Sequence, residues 1–423
     1  MKLYPHQVNA LEDTFGMNRV AYYHDMGLGK TFTGSEKMNQ LGGAINLIIC
    51  QKSKIDDWTE HFKEYYSYVR DFTYNLSDKV DYSNFKNHAE MLMGNRNLEN
   101  CYGVINYDLI FRRPELLKIK YDTIMLDESS IIQNRTSKRS KAILKLKTDN
   151  VILLSGTPTG GRYERLWSQL HLLGWNISED LFYRQYVDYH FEDNEGFPRR
   201  VIDGYKNVDR LKEKLRHHGA HFLKTEEVFD LPEQIFQEIR IPVSKEYKKF
   251  EKSRIVTVNG VDFVGDTALT YDLYKRQLCG AFNEHKLKAL EDILESTDER
   301  VIVFYNFNYE LRAIEDICIK LDKAMSIVNG LTKDLGCFEE YNNSVVAIQY
   351  VAGSMGLNLQ KANRIVYFTP PTMSELYEQS KKRIHRIGQN QTCFYYNLIC
   401  AGSVEERVYE RLKERKDYTD ALF

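Results

Sequence analysis

Asp25-Met26-Gly27-Leu28-Gly29-Lys30-Thr31 lies between an apolar run, Val20–His24, and a stretch of helical character, Lys30–Leu41, that Gly42-Gly43 stops. Strand, glycine-bearing turn and helix, in that order, are the context a phosphate-binding loop needs. Glycines let the backbone bend tightly and aim several N–H groups at one anion. The helix N-terminus adds a partial positive charge. Lys30 is spaced to reach the β- and γ-phosphates of a nucleotide, and the Thr31 hydroxyl to bind Mg²⁺. His24 stands where such a loop usually has its first glycine. A chance Gly-Lys-Thr turn is the bland alternative, and the flanking strand and helix weigh against it.

Outward from this loop, the first third of the chain alternates short apolar runs with helical stretches. Val20–His24, Ile45–Cys50, Gly103–Asn106, Thr123–Asp127 and Val151–Ser155 are too short for helices and read as buried strands. Such alternation implies a parallel sheet covered on both faces. From about Arg162 to Leu290 the sequence reads as mostly helical, with one hairpin-like piece, Ile255–Phe263, turned at Asn259-Gly260. Alternation then resumes with Val301–Tyr305, Val345–Tyr350, Arg364–Phe368 and Cys393–Ile399, before a closing helix over Ser403–Lys416. The expected organisation is α/β, with two parallel-sheet lobes in tandem and helical insertions. Lobe 1 is expected over 1–238, with a helical insertion at about 162–235. Lobe 2 is expected over 239–423, with a helical lead-in at about 239–285.

A phosphate loop needs acidic groups for metal and water. Asp127-Glu128 ends the hydrophobic run Tyr121–Asp127, and carboxylates at the C-terminal ends of parallel strands face the ligand crevice. Asp127 is expected to hold Mg²⁺ and Glu128 to polarise the attacking water. An Asp-Glu pair alone is usually just solvated; after a buried strand and a phosphate loop it reads as functional.

Composition narrows the class. The chain has 423 residues, 43% hydrophobic and 28% charged, with a net charge of −2. No stretch of about 18 apolar residues occurs, and the N-terminus lacks an apolar leader, so the expectation is a cytoplasmic protein without a membrane partner. Seven scattered cysteines include no C-x-x-C pair, which argues against zinc and against a disulfide framework. His217, His218 and His221 cluster without other ligands at zinc spacing and read as structural. The near-neutral charge leaves nucleic acid open, because a local basic stripe suffices.

At this point the sequence resembles the superfamily two helicase-like ATPases, specifically the Swi/Snf-type translocases, from about Tyr4 to Arg411. Tyr4-Pro-His-Gln7 is similar to the opening motif, whose glutamine reads adenine. His24–Thr31 resembles motif I, Leu47–Gln51 with Trp58 the next strand-and-tryptophan motif, Asp127–Ser130 with Ile131–Asn134 motif II, and Leu153–Pro158 motif III. Ala220–Pro232 resembles the segment between the lobes, Lys286–Phe304 the start of lobe 2 and motif IV, Gly353–Gln360 motif V, and Gln379–Gln389 motif VI. The resemblance implies two RecA-like lobes, ATP with Mg²⁺, and a nucleotide site from Gln7, Met26, Gly27, Leu28, Gly29, Lys30, Thr31 and Gly356. Thr31 and Asp127 would bind the metal. Catalysis would fall to Lys30, Asp127, Glu128, Gln379, Arg383 and Arg386.

Gln379, Arg383 and Arg386 are offset by four and seven, so a helix through them would put them on one face. Two guanidiniums from lobe 2 could then reach the γ-phosphate, a contribution typically of roughly 10³–10⁵ in rate. A solvated basic helix is the alternative. Motif II departs from the family, with Ser129-Ser130 where Ala-His is usual. The fourth position normally links the metal site to motif III, and a serine can still hydrogen-bond. The short middle region fits a minimal motor of a bacterium or bacteriophage.

Nucleic-acid backbones need local cations. Arg135, Lys138 and Arg139 open a basic cluster after motif II, and Arg112, Arg113, Lys118 and Lys120 form another; each alone could be a solvated face. By the family resemblance, Lys52, Ser53, Asn306 and Ser354 are candidate backbone contacts, which carry no sequence information. The expectation is a monomeric ATP-dependent translocase on double-stranded DNA, with a recruiting protein as a further partner. A strand-separating DNA or RNA helicase shares every ATPase residue, and Ile255–Phe263 could be its wedge. A binding scaffold with a decayed ATPase is disfavoured by intact Lys30, Glu128, Arg383 and Arg386.

Overall fold

The computed structural model describes residues 2–66, 71–94, 99–194, 197–353 and 357–423. The chain divides into two compact units, Met1–Val228 with Tyr418–Phe423, and Phe229–Asp417. Each is a lobe built on a parallel sheet.

The first unit contains β1 (Arg19–His24), β2 (Ile45–Cys50), β3 (Asp71–Asn75), β4 (Asn100–Asn106), β5 (Lys120–Asp127), β6 (Lys147–Ser155), β7 (Val187–Asn194), β8 (Phe197–Tyr205) and β9 (Ala220–Leu223). Seven of them form one sheet in the order β3-β4-β2-β5-β6-β1-β9, with every pairing parallel. Alternate residues feed opposite cores, as a pleated strand requires. Ala21, Tyr23, Leu47, Ile49, Ile124, Leu126, Val151 and Leu153 pack into one. Val20, Tyr22, Ile48, Cys50, Met125, Ile152 and Leu154 pack into the other. With both faces buried, the strands are mostly apolar, which is why they appear in the sequence as short hydrophobic runs.

The second unit contains β10 (Gln234–Pro242), β11 (Ile255–Val258), β12 (Val261–Val264), β13 (Val301–Tyr305), β14 (Ala324–Val328), β15 (Ser344–Gln349), β16 (Arg364–Tyr367) and β17 (Cys393–Ala401). Six form a parallel sheet, β10-β17-β16-β13-β15-β14. The same alternation sends Ile302, Phe304, Val346, Ile348 and Tyr367 to one core and Val301, Val303, Tyr305, Val345 and Val366 to the other. β11 and β12 form the expected hairpin, and Asn259 (φ 50°) and Gly260 (φ 76°) both take the left-handed conformation its tight turn demands.

Several expectations need correction. The boundary at 238 would cut β10, which pairs along its whole length with β17, from Gln234↔Cys393 to Pro242↔Ala401. The units part at 228/229 instead, and residues 418–423 return to the first unit. There Tyr163 donates to the Tyr418 carbonyl at 2.7 Å, and Phe423 packs on Phe222 with ring centroids 5.6 Å apart. The closing helix accordingly runs further than expected, over Val404–Leu422. The stretch 162–235 is not purely helical: it holds the antiparallel hairpin β7–β8 and the edge strand β9. Among the described residues no helix is long and apolar enough to cross a membrane.

Two buried ionisable groups hold the second unit. Lys286, fully buried, donates to both Glu405 oxygens at 2.7 Å and so ties the helix Glu284–Glu295 to the start of Val404–Leu422. Glu310 Oε2 accepts from the backbone of Asn306 (2.8 Å) and Phe307 (3.1 Å) and from the Thr369 hydroxyl (3.0 Å). Burial pushes the Glu310 carboxyl up to about 7, against those backbone hydrogen bonds. A carboxyl whose folded pKa is raised stabilises most where both states are protonated, below its ordinary value of about 4.5, and that stability is lost as pH rises toward 7. Thermal melts of Glu310→Gln against wild type at pH 5 and pH 8 test this. The difference in melting temperature should shift by about 2–4 °C or more in favour of the variant at pH 8; a pH-independent difference contradicts the assignment.

Candidate nucleotide and nucleic-acid site

Because all seven strands of the first sheet are parallel, the loops after β1, β2, β5 and β6 leave from the same rim. Asp25–Gly29 connects β1 to the helix Lys30–Leu41, which has no side-chain cap at its N-terminus. Gly27 (φ 92°) and Gly29 (φ 68°) both take backbone conformations that side chains resist. A Cβ on Gly29 would stand 2.4 Å from Gln7 Nε2. Gln7 itself clasps this loop: its Oε1 accepts from the Tyr4 backbone at 2.8 Å and its Nε2 donates to the Gly29 carbonyl at 3.0 Å. His6 Nε2 contacts the Leu28 carbonyl at 3.0 Å. Met26 packs near Gly156, where a Cβ would meet Met26 Cγ at 3.2 Å and Lys30 Nζ at 3.5 Å, so the loop after β6 abuts the phosphate loop.

Lys30 donates to the carbonyls of His24 (2.8 Å) and Asp25 (3.0 Å). The His24 ring is fully buried, 2.9 Å from His221 Nδ1 on the neighbouring strand β9. Burial first, then the charges of His221, Lys30 and His6, hold its imidazole well below the usual range, so it is neutral at ordinary pH. The residue that replaces the first glycine therefore points into the protein and offers the loop only its carbonyl. His221 also meets Asp13 at 3.3 Å, consistent with a structural role.

Asp127, at the end of β5, accepts the Trp58 indole N–H at 2.8 Å. Burial pushes its carboxyl up, opposed by that hydrogen bond and by Lys30. A hydroxyl at Thr31 and a carboxylate at Asp127 are hard oxygen donors of the kind Mg²⁺ takes, so the donor set fits that ion. Glu128 has φ 54° and ψ 59°, a left-handed conformation that is strained for a glutamate. Tyr107 braces the turn by donating to the Asp127 carbonyl at 2.8 Å. The link from motif II to motif III runs through Ser129 rather than Ser130. Ser129 donates to Gln169 Oε1 at 2.8 Å, and Gln169 Nε2 donates to the Pro158 carbonyl at 2.8 Å. Sequence reasoning missed Gln169 and Tyr107, which match no motif and are legible only once the chain is folded.

In the second unit, the helix expected to carry Gln379, Arg383 and Arg386 on one face stops short. It spans Ser374–Lys381, so Gln379 is helical while Arg383 and Arg386 lie in the turns after it. Those turns are stapled to residues 357–362: Leu359 N donates to the Arg383 carbonyl (3.2 Å), Gln389 Nε2 donates to the Ala362 carbonyl (2.9 Å), and Arg386 bonds Asn358 Oδ1. Arg383 is 2% exposed, and its Nη1 meets the Leu357 carbonyl at 3.5 Å. Burial pulls the Arg386 guanidinium below its usual range. Gly356 and Ser354 lie outside the described residues.

Among the nucleic-acid candidates, Lys52 and Ser53 are exposed on a single helical turn after β2, and Lys138 is exposed at the start of a short helix. Arg135 is engaged with Glu179 and lies over the Trp167 ring at 5.3 Å, and Arg139 is 3.8 Å from Asp108. Asn306 is half-buried, and its amide nitrogen donates to Thr369 Oγ1 (2.9 Å) and the Pro370 carbonyl (3.0 Å). One buried group, Cys279, Cys400 and Glu405, has the spacing of a metal site, but the Lys286 ammonium already occupies the carboxylate.

Residues 22–284, more than half of the 423, match the SNF2-related domain. The chain belongs to the SNF2-related family. Residues 285–388 match the helicase conserved C-terminal domain. Over 92% of its length the chain is 26% identical to the ISWI chromatin-remodeling complex ATPase ISW2 of Saccharomyces cerevisiae, covering 38% of that protein. It is 24% identical to the putative ATP-dependent helicase/translocase YwqA of Bacillus subtilis, covering 94% of this chain and 46% of that one. A solved Sulfolobus solfataricus SWI2/SNF2 ATPase core in complex with dsDNA aligns over 99% of this chain and 92% of its own, at 18% identity and a TM-score of 0.43. The chain thus spans less than half the length of these curated family relatives.

Gly29→Ala tests the loop. It adds a left-handed alanine, at about 1–2 kcal/mol, and a clash with Gln7. ATP affinity measured by titration calorimetry should fall at least about tenfold, the equivalent of 1.4 kcal/mol. Gly16→Ala has similar backbone strain (φ 76°) but open space around it, and should leave affinity unchanged. Equal effects from both would remove the Gln7 contact from the account.

Proposed function

We propose that this chain hydrolyses ATP and uses the energy to move along double-stranded DNA, holding the backbone without regard to sequence. The observation that supports this best is the rim of the first sheet. There a glycine loop ending in Lys30-Thr31 leaves β1 and the pair Asp127-Glu128 leaves β5, the two parallel strands that flank β6 in an SNF2-related chain.

In this reading, backbone N–H groups of Gly27–Thr31 and the Lys30 ammonium hold the triphosphate, and Gln7 sets the edge of the base pocket. Bound through Thr31 and Asp127, Mg²⁺ would supply positive charge against the phosphate oxygens. Glu128 orients and deprotonates the attacking water. Gln379, Arg383 and Arg386 stabilise the charge that develops on the phosphoryl group. Lys52, Ser53 and Lys138 contact phosphates of the duplex, with Arg135 and Arg139 joining once released from their carboxylate partners. Such contacts make binding fall with salt. The protein would act as a cytoplasmic monomer that reads no sequence itself, so a recruiting protein would choose the target.

A strand-separating helicase is the second reading, favoured by the exposed hairpin β11–β12, whose Ile255 is 57% exposed. Steady-state ATP turnover with duplex DNA, single-stranded DNA and RNA separates the two. Stimulation by duplex is expected, whereas a best response to single strands overturns translocation on duplex. Turnover equal to that of Glu128→Gln under every condition would leave a scaffold. Lys30→Ala and Arg386→Ala should each remove most turnover, by roughly 10²-fold or more, while duplex binding measured by fluorescence anisotropy survives. Loss of duplex binding in both counts against these roles.

A further inference from the structure

We propose that Gln169 is the positioning residue for Glu128: its amide is the hub that fixes the strained turn after β5. The proposal rests on the assignment of Glu128 as the group that activates water.

Three elements meet at this amide. Oε1 accepts from the Ser129 hydroxyl at 2.8 Å and from the Tyr23 hydroxyl at 3.0 Å, and Nε2 donates to the Pro158 carbonyl at 2.8 Å. Gln169, Ser129 and Tyr23 are all fully buried. The amide orientation is determined by chemistry: the Pro158 carbonyl can only accept, so it must face the NH₂. Tyr23 is next to last in β1, one residue before His24, whose carbonyl accepts from Lys30. Pro158 follows Gly156, which abuts Met26 and Lys30. Ser129 directly follows Glu128. One side chain therefore joins the strand beneath the phosphate loop, the loop beside Lys30 and the turn that carries the catalytic carboxylate.

The turn needs such a hub. A glutamate at φ 54° costs on the order of 1–3 kcal/mol and persists only where its surroundings over-determine it. Tyr107 holds the turn from one side, through the Asp127 carbonyl, and Ser129 holds it from the other. Without the Ser129 anchor, the peptide after Glu128 can relax toward ordinary backbone angles and swing the carboxylate away. A displacement of about 1 Å at a catalytic group can cost about 10²-fold in rate. Binding of ATP depends on the loop and on Lys30, not on the position of Glu128, so the loss should fall on kcat.

The hub also supplies a pH signature. In Gln169→Glu the protonated acid has the shape of the amide and keeps a donor toward Pro158. Ionised, it sets a carboxylate against that carbonyl and breaks the clamp. Burial raises the pKa of a carboxyl by as much as about 3–5 units, which brings the switch within the working range.

The test compares wild type, Glu128→Gln, Ser129→Ala, Gln169→Leu and Gln169→Glu for kcat, KM for ATP, ATP-binding stoichiometry and melting temperature. Gln169→Leu should lower kcat at least about tenfold at full binding stoichiometry, with KM within about twofold. Ser129→Ala should lower kcat less, and combined with Gln169→Leu it should add little, because both break one network. For Gln169→Glu, the ratio of its kcat to wild type should fall by about tenfold or more between pH 6 and pH 9. If Gln169→Leu fails to fold, the Gln169→Glu profile carries the test. A flat profile, or wild-type kcat in folded Gln169 variants, overturns the proposal. Wild-type turnover in Glu128→Gln would instead overturn the assignment of Glu128 on which it rests.

Discussion

A parallel sheet buried on both faces leaves its chemistry one place to go. Every interior position of such a strand faces a core, so polar and charged side chains are confined to the rim where the strands end. In the first unit that rule brings Asp25–Thr31, Gln51–Lys54, Asp127–Glu128 and Gly156–Pro158 to the same edge from positions spread over more than a hundred residues. The glycines, the lysine and the acidic pair need no further device to find one another, because strand register delivers them.

Delivery to the rim does not by itself fix a carboxylate. The polar groups just below the rim do that work through buried hydrogen bonds whose partners have no water to fall back on. Trp58 orients Asp127, Tyr107 holds the peptide between the two acids, and Gln169 anchors the residue after Glu128. Gln7 plays the equivalent part for Gly29. The second unit uses the same economy around Lys286 and Glu405, a buried pair whose disruption would leave an uncompensated charge at about 3–5 kcal/mol.

What could be read from the sequence follows from the same physics. Ile45–Cys50, apolar apart from Asn46, and Val301–Tyr305 announced themselves because central strands are buried on both faces, and the helix Lys30–Leu41 ended at Gly42 as its φ of 65° requires. The strands that escaped notice lie at or toward the edges. β3 (Asp-Phe-Thr-Tyr-Asn) and β10 (Gln-Ile-Phe-Gln-Glu-Ile-Arg-Ile-Pro) each have a solvated side and carry polar residues, and β9 has four residues. The arginines of Gln379–Gln389 had helical spacing, but the helix stops at Lys381, where the chain is drawn onto residues 357–362. Tertiary hydrogen bonds won there over local periodicity. The loop, Lys30, Asp127 and Glu128 were legible because their chemistry needs fixed neighbours in sequence, whereas Gln169 acts across elements and has no local signature.

We propose that ATP turnover in this chain moves it along intact duplex DNA. Displacement of a third strand from a triplex on duplex DNA measures that movement without strand separation. Wild type should release the third strand only with ATP and Mg²⁺, Glu128→Gln should not, and a forked duplex given to the same protein should stay paired. ATP hydrolysis stimulated by duplex with the third strand left in place, or unwinding of the fork, would contradict the account.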